Sequence, residues 1–140
     1  MLIAAVLDTN VLVSGLLNPN GSPGKILDLI VGSHIQVAYD DRILGEYEDV
    51  LSRPELHIRP SQAFALIGHI ELTGKYVTAE PLSPEGYPDP DDIMFAEVLI
   101  ASNADALVTG NLRHYNPLVQ RKMPVFSPVQ FLEKYFPAQG

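Results

Sequence analysis

The sequence predicts a single α/β domain in which a parallel sheet of about four or five strands is covered by helices on both faces. Short apolar runs, such as residues 2–7 and 106–109 (where only the last residue, Thr109, is polar), are typical of strands buried on both faces. Segments of helical periodicity separate these runs, and such alternation is typical of a parallel sheet. Because 140 residues are the size of one ordinary domain, we expect residues 1–140 to form one unit.

The first half of the chain is predicted to contain strands over residues 2–7 and 35–39, a helix after Asp8, a helix over 25–31, and a helix from Asp40 or Asp41 to Ser52. The helix over 25–31 follows a loop rich in Asn, Pro and Gly, and its apolar residues recur at helical spacing. Arg53 and Pro54 end the next helix, because the residue before a proline disfavours helical backbone.

The second half is predicted to contain a helix over 61–74 capped by Ser61, a short strand over 75–79, a proline-rich loop over 81–90, a helix from Asp91 or Asp92 to Ser102, strands over 106–109 and 124–126, and a last helix capped by Ser127. The apolar residues of the helix over 61–74 are Phe64, Leu66, Ile67 and Ile70. The pattern does not reveal the order of the strands in the sheet.

Composition limits the function. The net charge of −8 disfavours broad binding to nucleic acid, which requires a cationic surface. Carboxylates that hold a metal ion would explain part of this excess, because a bound cation inverts the local charge. Contact with an anionic substrate would then be local, and Lys25 and Arg113 are candidates for it.

The absence of cysteine excludes disulfides, thiolate metal ligands and a cysteine nucleophile. No apolar run approaches the roughly 18 residues of a membrane span. The N-terminal apolar run leads directly into Asp8, which is unlike a cleavable signal. We therefore expect a cytoplasmic protein that is not associated with a membrane.

Asp8 is the strongest single candidate for a functional residue. It follows a buried strand, at the end of the strand where α/β folds bind their ligands. It also suits the N-cap of the helix that follows, a position that aspartate fills well. The two roles are compatible, since one carboxylate oxygen can accept a backbone N–H while the other faces a cation.

A second acidic candidate lies among Asp89, Asp91 and Asp92, at the predicted start of a helix. The helix dipole favours acids there without any function. However, three neighbouring carboxylates repel one another unless water or a cation intervenes. A functional acid in this cluster is therefore favoured, with Asp92 placed beside the carboxyl ends of the strands.

Other candidates are less distinctive. Glu46 and Glu48 flank the apolar face of their helix on opposite sides, so amphipathicity does not choose between them, and a solvated role is the default for either. Thr109 and Asn111 follow a buried strand and could orient a water or a carboxylate, or could simply form a turn. The histidines show no pair at ligand spacing and are interpreted as solvated or at the edge of the core: His34, His57, His69 and His114.

Taken together, four segments in order resemble the PIN-domain family of metal-dependent ribonucleases. They are residues 6–12 with Asp-Thr-Asn, 43–54 with its acid at Glu46, 89–96 with Asp-Pro-Asp-Asp, and 107–111 with Val-Thr-Gly-Asn. The second and third segments are most similar to a branch of toxins from bacterial toxin–antitoxin pairs. Aligning the helix after the third segment places the family's acid on Asp92, with Asp91 as the alternative.

The resemblance implies a ribonuclease in which Asp8, Glu46 and Asp92 hold one or two Mg²⁺ or Mn²⁺ ions, with Glu46 acting through water or positioning the nucleophile. The supporting residues would be Thr9, Asn10, Asp91, Thr109 and Asn111. Many relatives in this branch have Asp at the position of Asn111. The amide carries no charge and is a weaker ligand for a hard cation, which leaves three acids.

The resemblance also implies a homodimer that is silenced by a small antitoxin protein. Two other functions stay open. A hydrolase of small phosphate esters is one, although its nucleophile would usually appear as Asp-x-Asp, whereas this chain has Asp8-Thr9-Asn10. A catalytically inactive module that binds a protein partner is the other, and Asn111 in place of Asp supports it.

Overall fold

The computed structural model describes residues 2–138, and within this range the core is a five-stranded sheet. The strands are β1 (Ile3–Leu7), β2 (Ile35–Tyr39), β3 (Lys75–Tyr76), β4 (Ala106–Val108) and β5 (Val125–Phe126). Their order across the sheet is β3-β2-β1-β4-β5, and all four neighbouring pairs are parallel. The α/β fold class predicted from the sequence is confirmed.

Seven α-helices of the described residues flank the sheet. They are α1 (Thr9–Leu17), α2 (Ser22–Val31), α3 (Asp41–Leu51), α4 (Pro60–Thr73), α5 (Ile93–Ser102), α6 (Asn116–Gln120) and α7 (Pro128–Tyr135). Short 3₁₀ turns occur at Pro54–Leu56, Pro90–Asp92 and Leu112–Tyr115. From Leu2 to Ala138, none of the helices is long and apolar enough to cross a membrane.

The central strands are apolar because protein covers both of their faces. Ala5, Val6 and Leu7 of β1 are fully buried, and so is every residue of β4. Burial of each large aliphatic side chain stabilises the fold by about 1.5–3 kcal/mol relative to its exposure. The two strands lie in register, with Leu7 opposite Val108, so both end at the same edge of the sheet.

The strand order positions a crevice at this edge. From β1 the chain builds outward to β2 and β3 on one side, and it then crosses back to add β4 and β5 on the other. In open parallel sheets, the point where the order reverses leaves a crevice outside the carboxyl ends of the strands, and ligands bind there. In this chain the reversal lies between β1 and β4, so the residues that follow Leu7 and Val108 line the crevice.

Two helices differ from the sequence prediction in their bounds and contacts. Helix α2 begins at Ser22, because Pro23 is tolerated in the first turn, where its missing N–H would have no partner. Gly24 allows the close approach of the preceding loop, since a Cβ there would lie 2.2 Å from the carbonyl oxygen of Pro19.

Helix α4 begins one residue earlier than predicted, at Pro60, and Arg59 rather than Ser61 occupies its N-cap position without a side-chain cap. Phe64 of this helix is 82% exposed, whereas Leu66 and Ile70 are buried in the core. The core-facing stripe of this helix is therefore narrower than the set of its apolar residues.

Candidate active site

Asp8 lies at the crevice, directly after β1. It is 5% exposed, and its side chain caps α1 weakly, with Oδ1 lying 3.5 Å from the backbone nitrogen of Asn10. Its other oxygen, Oδ2, accepts hydrogen bonds from Thr109 Oγ1 at 2.9 Å and from the Tyr115 hydroxyl at 2.8 Å. Asp8 therefore does cap the helix, through Oδ1. Because this hydrogen bond is long and both shorter ones go to Oδ2, Oδ1 is the oxygen that can still accept from or bind another group.

The structure separates Glu46 from Glu48. Glu46 is half-buried, and its Oε2 accepts a hydrogen bond from Thr9 Oγ1 at 3.1 Å. Glu48 is exposed. Because Thr9 is the neighbour of Asp8 in the chain, this hydrogen bond ties α3 to the crevice through Glu46. Tertiary packing supplies the distinction that amphipathicity could not make.

Asp92 is the better enclosed acid of its cluster. Its side chain is 13% exposed, and its Oδ2 lies 2.7 Å from Nδ1 of His114. Asp91 is exposed, and Asp89 caps the 3₁₀ turn by accepting from the backbone nitrogen of Asp91. Burial, and then the negative charges of Asp8 and Asp89, raise the pKa of Asp92 to about 6, although the hydrogen bond from His114 opposes the shift.

The supporting residues predicted from the sequence connect the two strand ends. Asn10 Oδ1 accepts from the backbone nitrogen of Gly110 at 3.1 Å, and Thr109 Oγ1 accepts from the backbone nitrogen of Asn111 at 3.0 Å. Thr109 therefore receives one hydrogen bond and donates another to Asp8. The side chain of Asn111 lies against His114 rather than against an acid, with Nδ2 at 2.9 Å from Nε2.

Three residues of the site were not predicted. His114 was interpreted as solvated or at the edge of the core, yet it contacts Asp92. Tyr115 is fully buried against Asp8, and the hydroxyl of Tyr47 donates to the carbonyl oxygen of Leu7. The missed signal for His114 was its spacing of three residues from Asn111, which brings both onto one face of the 3₁₀ turn.

The charge of the three acids is not balanced by a protein cation. Among residues 2–138, no lysine or arginine forms an ion pair with Asp8, Glu46 or Asp92. Burial also raises the pKa of Tyr115, and the neighbouring charges of Asp8 and Asp92 raise it further. The region is therefore strongly negative and enclosed, which is the electrostatic setting of a cation site.

The donor set fits a hard cation such as Mg²⁺ or Mn²⁺, which prefers carboxylate oxygens. Asp8 Oδ1 and Asp92 Oδ1 accept at most weak protein hydrogen bonds. Within the described part of the chain, however, no three carboxylates or imidazoles lie close enough together to bind one ion jointly. The arrangement therefore fits an ion held by one or two carboxylates that keeps several waters, as Mg²⁺ commonly does.

The two predicted substrate-binding cations line cavities that Asp8, Glu46 and Asp92 do not border. Lys25 lines a cavity between α2 and α7, together with Asp28 and Glu133. Arg113 lines a different cavity with Phe126 and Lys134. Closer to the acids, Glu46 and Asp91 border a polar groove of about 710 Å³.

Known proteins match this chain in sequence and in fold. The sequence profile of the PIN domain family matches residues 4–113. The chain belongs to the PIN-domain family. PIN domains are generally nucleases and typically use divalent metal ions. The matched segment of this PIN domain includes Asp8, Glu46, Asp92 and Asn111, so the four motifs noted in the sequence lie within it.

Two relatives extend the comparison. Over 44 residues, or 31% of its length, the PIN domain is 71% identical to an uncharacterized protein of Methanocaldococcus jannaschii, of which the match spans only 28%. Its fold is similar to the crystal structure of VapBC2 from Rickettsia felis bound to a DNA fragment from their promoter. That similarity has a TM-score of 0.57 at 17% identity and covers 89% of this chain and 98% of the other.

Proposed function

We propose that this PIN domain is an endoribonuclease that hydrolyses phosphodiester bonds of RNA with Mg²⁺ or Mn²⁺. The observation that carries the proposal is the pair of carboxylates formed by the buried Asp8 and the largely enclosed Asp92, which face the sheet's crevice without a lysine or arginine partner among residues 2–138. Such a pair is costly unless a cation joins it. The family supplies the class of reaction, since PIN domains are generally nucleases.

In this proposal Asp8 and Asp92 would hold the ion directly, and Glu46 would bind through water or position the attacking water. The chemistry that such an ion supplies is activation of a water molecule and neutralisation of the charge that develops on the leaving oxygen. Thr109 and Tyr115 hold Asp8 by two hydrogen bonds, and this leaves one orientation for its carboxylate. Hydrogen-bond partners of a metal-binding side chain contribute to metal affinity, because they hold that side chain in place before the ion binds.

The other supporting residues act on the backbone around the acids. Asn10 fixes the turn at Gly110, and Thr9 holds Glu46 toward the crevice. Asp91 lies in the groove beside Glu46, where an exposed carboxylate could bind the ion through water. Lys25 and Arg113 would contact the phosphates of RNA beyond the cleaved bond, at a distance from the acids.

We further propose a toxin role, with a small antitoxin protein as partner, a homodimer as the assembly and the cytoplasm as the location. The motif similarity to the toxin branch supports this role, and so does the likeness of the fold to VapBC2, which was solved as a complex on promoter DNA. Residues 1–140 would act as one domain. Growth arrest on expression of the wild type, and not of Asp8→Asn, is the expected result for a toxin.

The decisive experiment measures cleavage of a fluorescent single-stranded RNA by purified protein with Mg²⁺ or Mn²⁺. We expect Asp8→Asn and Asp92→Asn to lower the rate by at least about 100-fold, because loss of an outer partner alone costs about 10–100-fold. Asp28→Asn is the matched control, since Asp28 is an exposed acid on α2, and its rate should equal that of the wild type.

Other outcomes would point to the alternative functions. Undiminished cleavage by Asp8→Asn would contradict the ribonuclease assignment. Rapid turnover of a phosphate monoester without RNA cleavage would favour a small-molecule hydrolase. Folded wild-type protein that neither cleaves RNA nor binds Mn²⁺ would favour a protein-binding module.

A further inference from the structure

The 3₁₀ turn Leu112–Tyr115 contacts both of the central acids through adjacent residues. The Tyr115 hydroxyl donates to Asp8 Oδ2 at 2.8 Å, and His114 Nδ1 lies 2.7 Å from Asp92 Oδ2. The turn begins directly after Asn111, whose Nδ2 lies 2.9 Å from the other ring nitrogen of His114. One short element therefore reaches both carboxylates, although they come from distant parts of the chain.

The placement of the Asn111 amide nitrogen beside His114 favours one tautomer of the imidazole ring. The amide nitrogen of Asn111 has only hydrogens to offer, so Nε2 of His114 accepts from it. A neutral imidazole then carries its proton on Nδ1, and Nδ1 donates to Asp92. The hydrogen bonds thus run in one direction, from Asn111 through His114 to Asp92.

We propose that His114 is a positioning residue that holds Asp92 for the divalent cation, and that Asn111 sets the tautomer of His114 instead of acting as a ligand. This inference rests on the proposed function. It assigns a role to the amide of Asn111, which follows the end of β4 and contacts His114.

The hydrogen bond has two consequences for Asp92. It uses Oδ2, so that the carboxylate cannot rotate freely and Oδ1 is the oxygen left to face the crevice. It also offsets part of the cost of an enclosed negative charge, since a hydrogen bond to an ionised group is stronger than one between neutral groups. The side chain of His114 is 33% exposed, so its own burial explains little of its placement.

The first test is the affinity for Mn²⁺, measured by calorimetry on His114→Ala, His114→Asn and His114→Gln. We expect His114→Ala to weaken binding by about 10–100-fold, the usual cost of removing an outer partner of a metal ligand. His114→Asn should recover most of this loss, because its amide nitrogen occupies the position of Nδ1. The glutamine amide reaches the position of Nε2 instead, so His114→Gln should recover little.

Cleavage kinetics provide a second readout. His114→Ala should lower kcat and leave KM for RNA within about twofold, because the residue acts on the ion and not on the bound strand. His34→Ala, which removes an exposed histidine elsewhere, should match the wild type in both assays. Equal Mn²⁺ affinity for the wild type and His114→Ala would overturn the proposal, and so would equal losses in the asparagine and glutamine variants.

A third readout needs neither metal nor activity. In protein kept in EDTA, the ¹⁵N resonances of His114 report which ring nitrogen is protonated. We expect the Nδ1–H tautomer in the wild type and a larger share of the Nε2–H tautomer in Asn111→Ala. A wild-type Nε2–H tautomer would refute the inference even if RNA cleavage were confirmed. The expected tautomer in a protein that binds no Mn²⁺ would support the hydrogen-bond chain while the proposed function failed.

Discussion

Two clusters of acids lie in this domain, each with at least one buried carboxylate, and they differ in what balances their charge. The open cluster consists of Asp8, Glu46 and Asp92, whose partners are hydroxyl groups and one imidazole. The paired cluster consists of Asp40, Glu97 and Arg42. In it, Arg42 lies 2.7 Å from Asp40 Oδ2 and 2.6 Å from Glu97 Oε1.

Burial does not distinguish Asp8 from the two acids of the paired cluster. Asp8, Asp40 and Glu97 are 5%, 7% and 5% exposed. Asp8 and Asp40 even hold equivalent places, since each follows a parallel strand and caps the next helix. The chemistry of the partner is the difference. The paired cluster contains its own cation, Arg42, whereas under our proposal the open cluster would take a cation from solution.

The largest expected effect concerns the paired cluster and tests its structural role. Glu97 accepts from Arg42 with one oxygen and from the backbone nitrogen of Leu82 with the other, at 2.7 Å. In Glu97→Gln, the NH₂ group of the side-chain amide must face one of these two donors. We therefore expect the free energy of unfolding to fall by about 1.5–3 kcal/mol. Urea denaturation measures this change.

The control for that measurement is Glu133→Gln, because Glu133 is an exposed acid on α7. Its free energy of unfolding should stay within about 0.5 kcal/mol of the wild type. A Glu97→Gln variant as stable as this control would show that the paired cluster does not stabilise the fold.

A smaller effect is expected at Glu46, the outermost acid of the open cluster. Because Glu46 would act through water or by positioning, Glu46→Gln should lower RNA cleavage by about tenfold, at the lower end of the cost of an outer partner. Its exposed neighbour on the same helix provides the comparison, and Glu48→Gln should leave the rate unchanged. Similar rates for both variants would remove Glu46 from the site.

The smallest expected effect is the change in the free energy of unfolding of Asp8→Asn, and its direction is what makes it informative. In metal-free protein, Asp8→Asn removes a charge that repels Asp92, while the asparagine oxygen can still accept from Thr109 and Tyr115. We expect the free energy of unfolding in EDTA to rise by about 0.5 kcal/mol or to stay unchanged, whereas most substitutions of buried residues lower it. A loss as large as that of Glu97→Gln would mean that the open cluster is also structural.

The sequence could predict most of the fold, because apolar runs and helical spacing are local signals. The strand over 35–39 and the helix capped by Ser127 were confirmed in their bounds or caps. The strand order was not readable, since it depends on which strands meet across the sheet. The strand predicted over 75–79 is confined to Lys75–Tyr76, and contact with β2 ends at the hydrogen bond from the Val77 backbone nitrogen to Tyr39.

The sequence predicted only some residues of the site, because the site again depends on contacts between residues that are distant in the chain. The position of Asp8 after a strand made it a candidate, but the same rule applies to Asp40, which Arg42 neutralises. The contacts of His114 and Tyr115 with the acids could not be predicted, because those acids lie 22 and 107 positions away in the chain. The spacing of His114 from Asn111 was the one local signal. Local patterns identify acids at strand ends, and only packing shows which of them lack a cation.

Calorimetric titration with Mn²⁺ tests most directly whether the open cluster is a cation site. The wild type and the control Asp28→Asn should bind Mn²⁺ alike, and Asp8→Asn and Asp92→Asn should each bind at least about tenfold more weakly. Mn²⁺ binding of wild-type strength in both Asp8→Asn and Asp92→Asn, or no binding by the folded wild type, would contradict the account.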